Sequence, residues 1–142
     1  MKKSQIKFIL LCNLFCVLSF SQNSNTNKKQ AESYYVKAVN NYKNSELYEA
    51  LDNIEQSIKL NPLNSNSYYI KGVIKQKQNL LNDAILLYKK AIQLNPKNID
   101  ALSKCGIAYG TLKDMKNSCK YFYLACENGS NDSCIIFEKF CK

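Results

Sequence analysis

The chain has 142 residues, room for one domain, and its 46% hydrophobic content suits a globular chain rather than a disordered one. Its formal charge of +9 rests on lysine alone, because all twenty basic residues are lysine and there is neither arginine nor histidine. Without arginine's planar fork, bidentate phosphate or base-edge recognition is disfavoured, so nucleic acid is not an expected partner. Without histidine, mixed Cys/His zinc sites and a histidine general base are excluded. The lysines read as a solvated, solubilising surface.

Residues 1–21 read as a signal peptide. Lys2, Lys3 and Lys7 make its positive start, and Phe8 to Phe20 is a mostly apolar run of 13 residues. That is short of the roughly 20 residues a spanning helix needs, so cleavage is expected over anchoring. Ser19 and Ser21 supply small residues for a peptidase, leaving Gln22 as the new N-terminus. Leu11 and Phe15 precede Cys12 and Cys16, which argues against lipidation at either. Export to the periplasm or beyond the cell follows. The cleaved chain would keep 17 lysines against 11 acidic residues, a net +6. Residues 22–30 are polar without an apolar period and read as a flexible leader to a domain at 31–142.

From Ala31 onward the chain repeats itself every 34 residues. Tyr34 and Tyr35 return as Tyr68 and Tyr69, Ala50 as Ala84, Pro62 as Pro96, and Gly72 as Gly106. In the first unit, 31–64, Tyr34, Tyr35, Ala38, Val39 and Tyr42 recur at helical spacing. Leu47, Ala50, Leu51, Ile54 and Ile58 do so again before Pro62. The second unit, 65–98, repeats both patterns and closes at Pro96. The third, 99–132, carries Leu102, Gly106, Tyr109, Phe122 and Ala125, with Ser118 in the small-residue column. Ser130, in the turn Asn128-Gly129-Ser130-Asn131, replaces its closing proline. A last amphipathic helix at 132–142 carries Ile135, Ile136, Phe137 and Phe140, and reads as a cap on the open end of the stack.

A 34-residue period with two helices per unit resembles the tetratricopeptide repeat. The middle unit carries that family's pattern in Tyr68, Gly72, Ala84, Tyr88, Ala91 and Pro96. The resemblance implies an all-α solenoid of three repeats, six helices, closed by the C-terminal capping helix. In that family the first helices line a concave groove that takes peptides or partner helices. Here those columns hold Tyr35, Val39, Tyr42 and Lys43, then Tyr69, Val73, Gln76 and Lys77, then Ser103, Ile107 and Thr111. Tyrosine offers a large apolar face and a hydroxyl at low entropic cost, and the rim lysines favour an acidic segment. One subset of the family grips a chaperone's C-terminal carboxylate with lysine, asparagine and arginine. Tyr35 and Val39 stand where that set begins, so the clamp is not implied.

Five cysteines lie beyond the signal peptide, and Cys119, Cys126, Cys134 and Cys141 are spaced seven, eight and seven apart. An antiparallel hairpin about Ser130 would set Cys119 opposite Cys141 and Cys126 opposite Cys134. Export favours bonding. Yet Cys119 and Cys126 also occupy apolar columns, where free cysteine packs as a small hydrophobe. Two bridges, one bridge and none therefore stay open, while zinc is disfavoured because its ligand pairs usually stand closer in sequence. Cys105 is the odd cysteine, expected buried and free.

No glycine-rich phosphate loop or nucleophile-elbow pattern is present, and the carboxylates fall on outer faces, so neither catalysis nor a cofactor is expected. The sequence thus predicts an exported, non-catalytic module binding a protein or peptide. The alternative is a structural solenoid that associates with itself.

Overall fold

The computed structural model describes residues 25–142, and their regular structure is helical throughout. The seven helices are α1 (25–43), α2 (Leu47–Leu60), α3 (Ser65–Lys77), α4 (Leu81–Leu94), α5 (Ile99–Thr111), α6 (Met115–Glu127) and α7 (Asn131–Phe140). The predicted signal peptide at 1–21 lies outside the described residues. Residues 25–30, expected to be a flexible leader, are instead helical. Lys28, Lys29 and Gln30 are good helix formers, and once Ala31 is buried the helix extends at little cost per residue.

Two kinds of turn build the fold. The α1–α2, α3–α4 and α5–α6 turns share one hydrogen-bond pattern and one left-handed residue, Ser45, Asn79 and Lys113, with φ between 62° and 65°. In the middle turn Asn79 N–H donates to Gln76 O at 2.9 Å, and Leu80 N–H to Lys75 O at 2.9 Å. That pairing closes the helix and reverses the chain in three residues. The α2–α3 and α4–α5 turns are longer and carry Pro62 and Pro96, which cannot continue a helix. At the second of these, Asn98 caps α5 by accepting from Ala101 N–H at 3.0 Å. Its amide donates to Ser65 Oγ at 2.8 Å, and that hydroxyl donates to Ala91 O at 2.9 Å. One buried network thus joins the start of α3, the end of α4 and the start of α5.

Within each hairpin the two helices cross where a small residue faces a large one. Ala38 shares a cluster with Ile54, Gly72 lies under the Tyr88 ring, and Gly106 lies under Phe122. A β-carbon on Gly72 would stand 2.6 Å from Tyr88 Cε1, inside contact distance, whereas on Gly106 it would stand 3.2 Å from the Phe122 ring. Ser118, in the small-residue column of α6, donates its hydroxyl to Gly106 O at 2.9 Å and so stays satisfied in the core.

The α6–α7 connection adopts the hairpin kind of turn. Gly129, at φ 100°, is its left-handed residue; Gly129 N–H donates to Cys126 O and Ser130 N–H to Ala125 O. Where proline would start the longer turn, Ser130 instead caps α7, accepting from Ser133 N–H. The reversal lays α7 antiparallel on α6. Cys119 is bonded to Cys141 across 22 residues and Cys126 to Cys134 across 8, the pairing that an antiparallel hairpin implies. Both bridges tie down a helix of ten residues, too short to be stable alone.

Gly72→Ala should lower stability by about 1–2 kcal/mol, because overpacking against the enclosed Tyr88 outweighs the gain in helix propensity. A lower urea midpoint at unchanged slope is the expected result; an equal or higher midpoint would show that the ring yields. Paired Cys→Ser replacements should cost on the order of 2–4 kcal/mol per bridge, more for Cys119–Cys141, which closes the longer loop. Hydrogen exchange should then show α7 losing protection before α2–α5 do.

Candidate functional site

The first helices of the three hairpins converge on one concavity of about 250 Å³, lined by Tyr42, Val73, Gln76, Lys77 and Lys104. Tyr42 comes from α1, Lys104 from α5 and the other three from α3. Four of the five belong to the groove columns expected from sequence. The fifth, Lys104, was not among them. It stands next to Ser103, which was, and the direction of Ser103 explains the difference. Ser103 Oγ lies 2.9 Å from Ser133 Oγ, so that hydroxyl is engaged with the cap, not the groove.

The remaining groove residues are placed as follows. Tyr35, Val39 and Tyr69 are half-buried, while Lys43, Ile107 and Thr111 are exposed; none of these six lines the concavity. Tyr69 and Val73 pack against the core cluster formed by α4, α5 and α6, and the Tyr69 ring lies 6.1 Å from that of Tyr88. Tyr35 and Tyr42 pack in the same way on the cluster of Ala38, Ala50, Ile54 and Ile74. These aromatic side chains are therefore half core and half surface.

Charge divides the groove. Burial, with the Asp100 carboxylate adding to it, pushes the Tyr69 hydroxyl up to about 12. Tyr35 is raised by burial first, then by Glu32 and Asp100. Two carboxylates expected on outer faces thus lie near the groove tyrosines. Lysines gather at the opposite end, around Gln76. The Gln76 side chain is held from beneath, where the Tyr88 hydroxyl, on a ring with no exposed surface, donates to Gln76 Oε1 at 2.7 Å.

Cys105 is free and fully buried, its thiol pushed up to about 12 by burial. A thiol held neutral is a poor nucleophile, so it serves as packing. The other four cysteines among the described residues are used in disulfides, and among the same residues no group of three or more His, Cys, Asp or Glu could hold a metal ion. Also among the described residues, no helix is long and apolar enough to cross a membrane.

Tyr69, Tyr121 and Cys105 each titrate higher in the folded chain, near 12, than the ordinary 10 or 9. Their contribution to stability is therefore full below about pH 9 and is lost as pH rises toward 12. The urea midpoint should be flat from neutrality to about pH 9 and then fall. Tyrosinate absorbance should show a late class near pH 12 among the ten tyrosines. A single step near pH 10 for all of them would contradict the burial described.

The family model described as TPR repeat matches residues 77–113. No curated protein matches the chain. Among solved structures, the TPR domain of Arabidopsis OM64 is similar with a TM-score of 0.75 at 24% identity, covering 80% of this chain and 94% of that one. MamA is similar at 0.67 and 30% identity, over 70% of this chain and 58% of MamA. The first TPR of Spaghetti (RPAP3), solved bound to the HSP90 peptide SRMEEVD, is similar at 0.75 and 17% identity, over 80% and 92%. The repeat match over 77–113, the paired helices and these shared folds together show an all-α tetratricopeptide-repeat type of fold, six helices closed by a capping helix.

Proposed function

We propose that the chain is an exported, non-catalytic interaction module that holds a peptide or a segment of an envelope protein in the concave groove of α1, α3 and α5. The observation that carries this reading is the concavity itself. All three first helices contribute to it, and its walls combine Tyr42 and Val73 with hydrogen-bond donors. Half-buried tyrosines beside it supply apolar area already ordered by the core, which lowers the entropic cost of binding. The same fold holds an HSP90 peptide in Spaghetti and takes part in an Hsp70 complex in yeast Sti1, so it is suited to peptide capture. Two disulfides and a short cap fit an oxidising compartment, which supports export.

The test is a crosslinking pull-down from the native envelope, with wild type beside Tyr35→Ala/Tyr69→Ala. The expected result is a specific protein held by the wild type and lost by a double variant whose helix content is unchanged. Equal recovery by both would move the site out of the groove. Recovery of the chain alone, with a mass that rises with concentration in light scattering, would replace this reading by a self-associating structural role.

A further inference from the structure

We propose that Asn128 is a self-modification site: ring closure with Gly129 converts its side-chain amide to a carboxylate and loosens α7, at a rate held down by the Cys126–Cys134 bridge.

Asn128-Gly129 is the one asparagine–glycine pair in the chain. An asparagine side chain is open to attack at Cγ by the amide nitrogen of the next residue, and a β-carbon on that residue hinders the approach. Glycine has none, whereas serine follows the asparagine in pairs such as Asn44-Ser45 and Asn117-Ser118. Gly129 is exposed, and no heavy atom lies within 4 Å of the place a β-carbon would take. Solvent water therefore reaches this side of the turn.

In the first step the Gly129 nitrogen gives up its proton and bonds to Asn128 Cγ. The Cγ–Nδ2 bond breaks, and Nδ2 leaves with the proton as ammonia. Water then opens the succinimide at one of its two carbonyls. Opening at Cγ leaves an aspartate, and opening at the main-chain carbonyl leaves an isoaspartate whose backbone runs through Cγ. The chain and water are the only reactants, and nothing is oxidised or reduced.

The folded turn opposes the first step. Both reacting groups are bonded to the last turn of α6: Asn128 Nδ2 donates to Leu124 O at 2.8 Å, and Gly129 N–H to Cys126 O at 2.9 Å. Attack needs the nitrogen and carbon aligned at about 3–3.5 Å, so these bonds must first release. The bridge joins the two sides of the turn across eight residues and keeps the open forms rare.

The product does not fit this turn. A carboxylate only accepts, so the bond to Leu124 O is lost, and the new charge stands at the negative end of the α6 dipole. In the isoaspartate an extra backbone carbon precedes Gly129. It shifts the N–H groups of Gly129 and Ser130 from their acceptors, Cys126 O and Ala125 O. Ser130 also caps α7, accepting from Ser133 N–H at 3.2 Å. Modification of Asn128 therefore acts on the start of the capping helix.

The test follows the oxidised protein through a long incubation at neutral pH, beside Cys126→Ser/Cys134→Ser. Peptide-mapping mass spectrometry counts the converted asparagines, and enzymatic methylation reports isoaspartate. Conversion should concentrate at Asn128 over Asn44 and Asn117. It should run about tenfold or more faster without the bridge, the order expected from freeing one such hydrogen bond. Asn128→Asp, with both bridges kept, should lower the hydrogen-exchange protection of α7 while α2–α5 keep theirs. Cys126→Ala/Cys134→Ala takes the place of the serine variant if hydroxyls in the hairpin unfold it. Equal rates with and without the bridge, conversion at Asn128 no greater than at Asn44 and Asn117, or unchanged α7 protection in Asn128→Asp would each overturn the proposal.

Discussion

The contact between Gly72 and the Tyr88 ring is the constraint on which the rest of the structure depends. It brings α3 and α4 together without a β-carbon between them, and the neighbouring repeats solve the same crossing with different sizes. Ala38 accompanies the slimmer Ile54, while Gly72 and Gly106 accompany Tyr88 and Phe122. The larger the residue on the second helix, the smaller its counterpart must be, because the interior is already close-packed. A tyrosine placed there also carries a hydroxyl that has to be satisfied, and the nearest way out is toward the groove. That hydroxyl reaches Gln76 and holds a side chain that lines the concavity. Core packing and groove chemistry are therefore joined in one residue.

The C-terminal end shows how a small change of turn chemistry ends a repeat array. Two earlier junctions use proline and a longer turn, so the next helix becomes the first of a new pair. With Gly129 and Ser130 in place of that turn, α7 folds back on α6 as a hairpin partner. Apolar area on ten residues is too little to hold such a helix, and two covalent bonds make up the difference. Cys105, by contrast, lies in the interior outside any disulfide, hydrogen-bonded with Tyr121, and packs with the core.

Much of the fold was legible because repetition multiplies each signal. Pro62 and Pro96 mark two boundaries, and the Gly72 and Gly106 columns mark two crossings, so each reading could be checked against its copy. The N-terminal edge was misread for the opposite reason. Residues 25–30 are polar and have no copy to compare with, yet they continue a helix whose core contact begins at Ala31. Groove columns were legible on α3, where all of Val73, Gln76 and Lys77 line the concavity. On α5 the same column offset pointed to Ser103, which faces the cap, and passed over its neighbour Lys104. The cap gives α5 a neighbour that has no counterpart in the periodic pattern.

By itself, the sequence determined the helix count from Ala31 onward, the 34-residue period, the stops at proline and the hairpin register that sets cysteine against cysteine. All of these are local or periodic properties, and a chain carries them in its own spacing. Only the tertiary structure decided which atoms of the groove are free. The Gln76 acceptor is occupied because Tyr88, twelve residues away, comes up beneath it, and Lys104 shares a wall with Tyr42 because three helices meet there. Charge was divided in the same way, with Asp100 and Glu32 drawn toward the tyrosines at one end and unpaired lysines left at the other. Such facts depend on direction and distance between elements, which no spacing along a single helix contains.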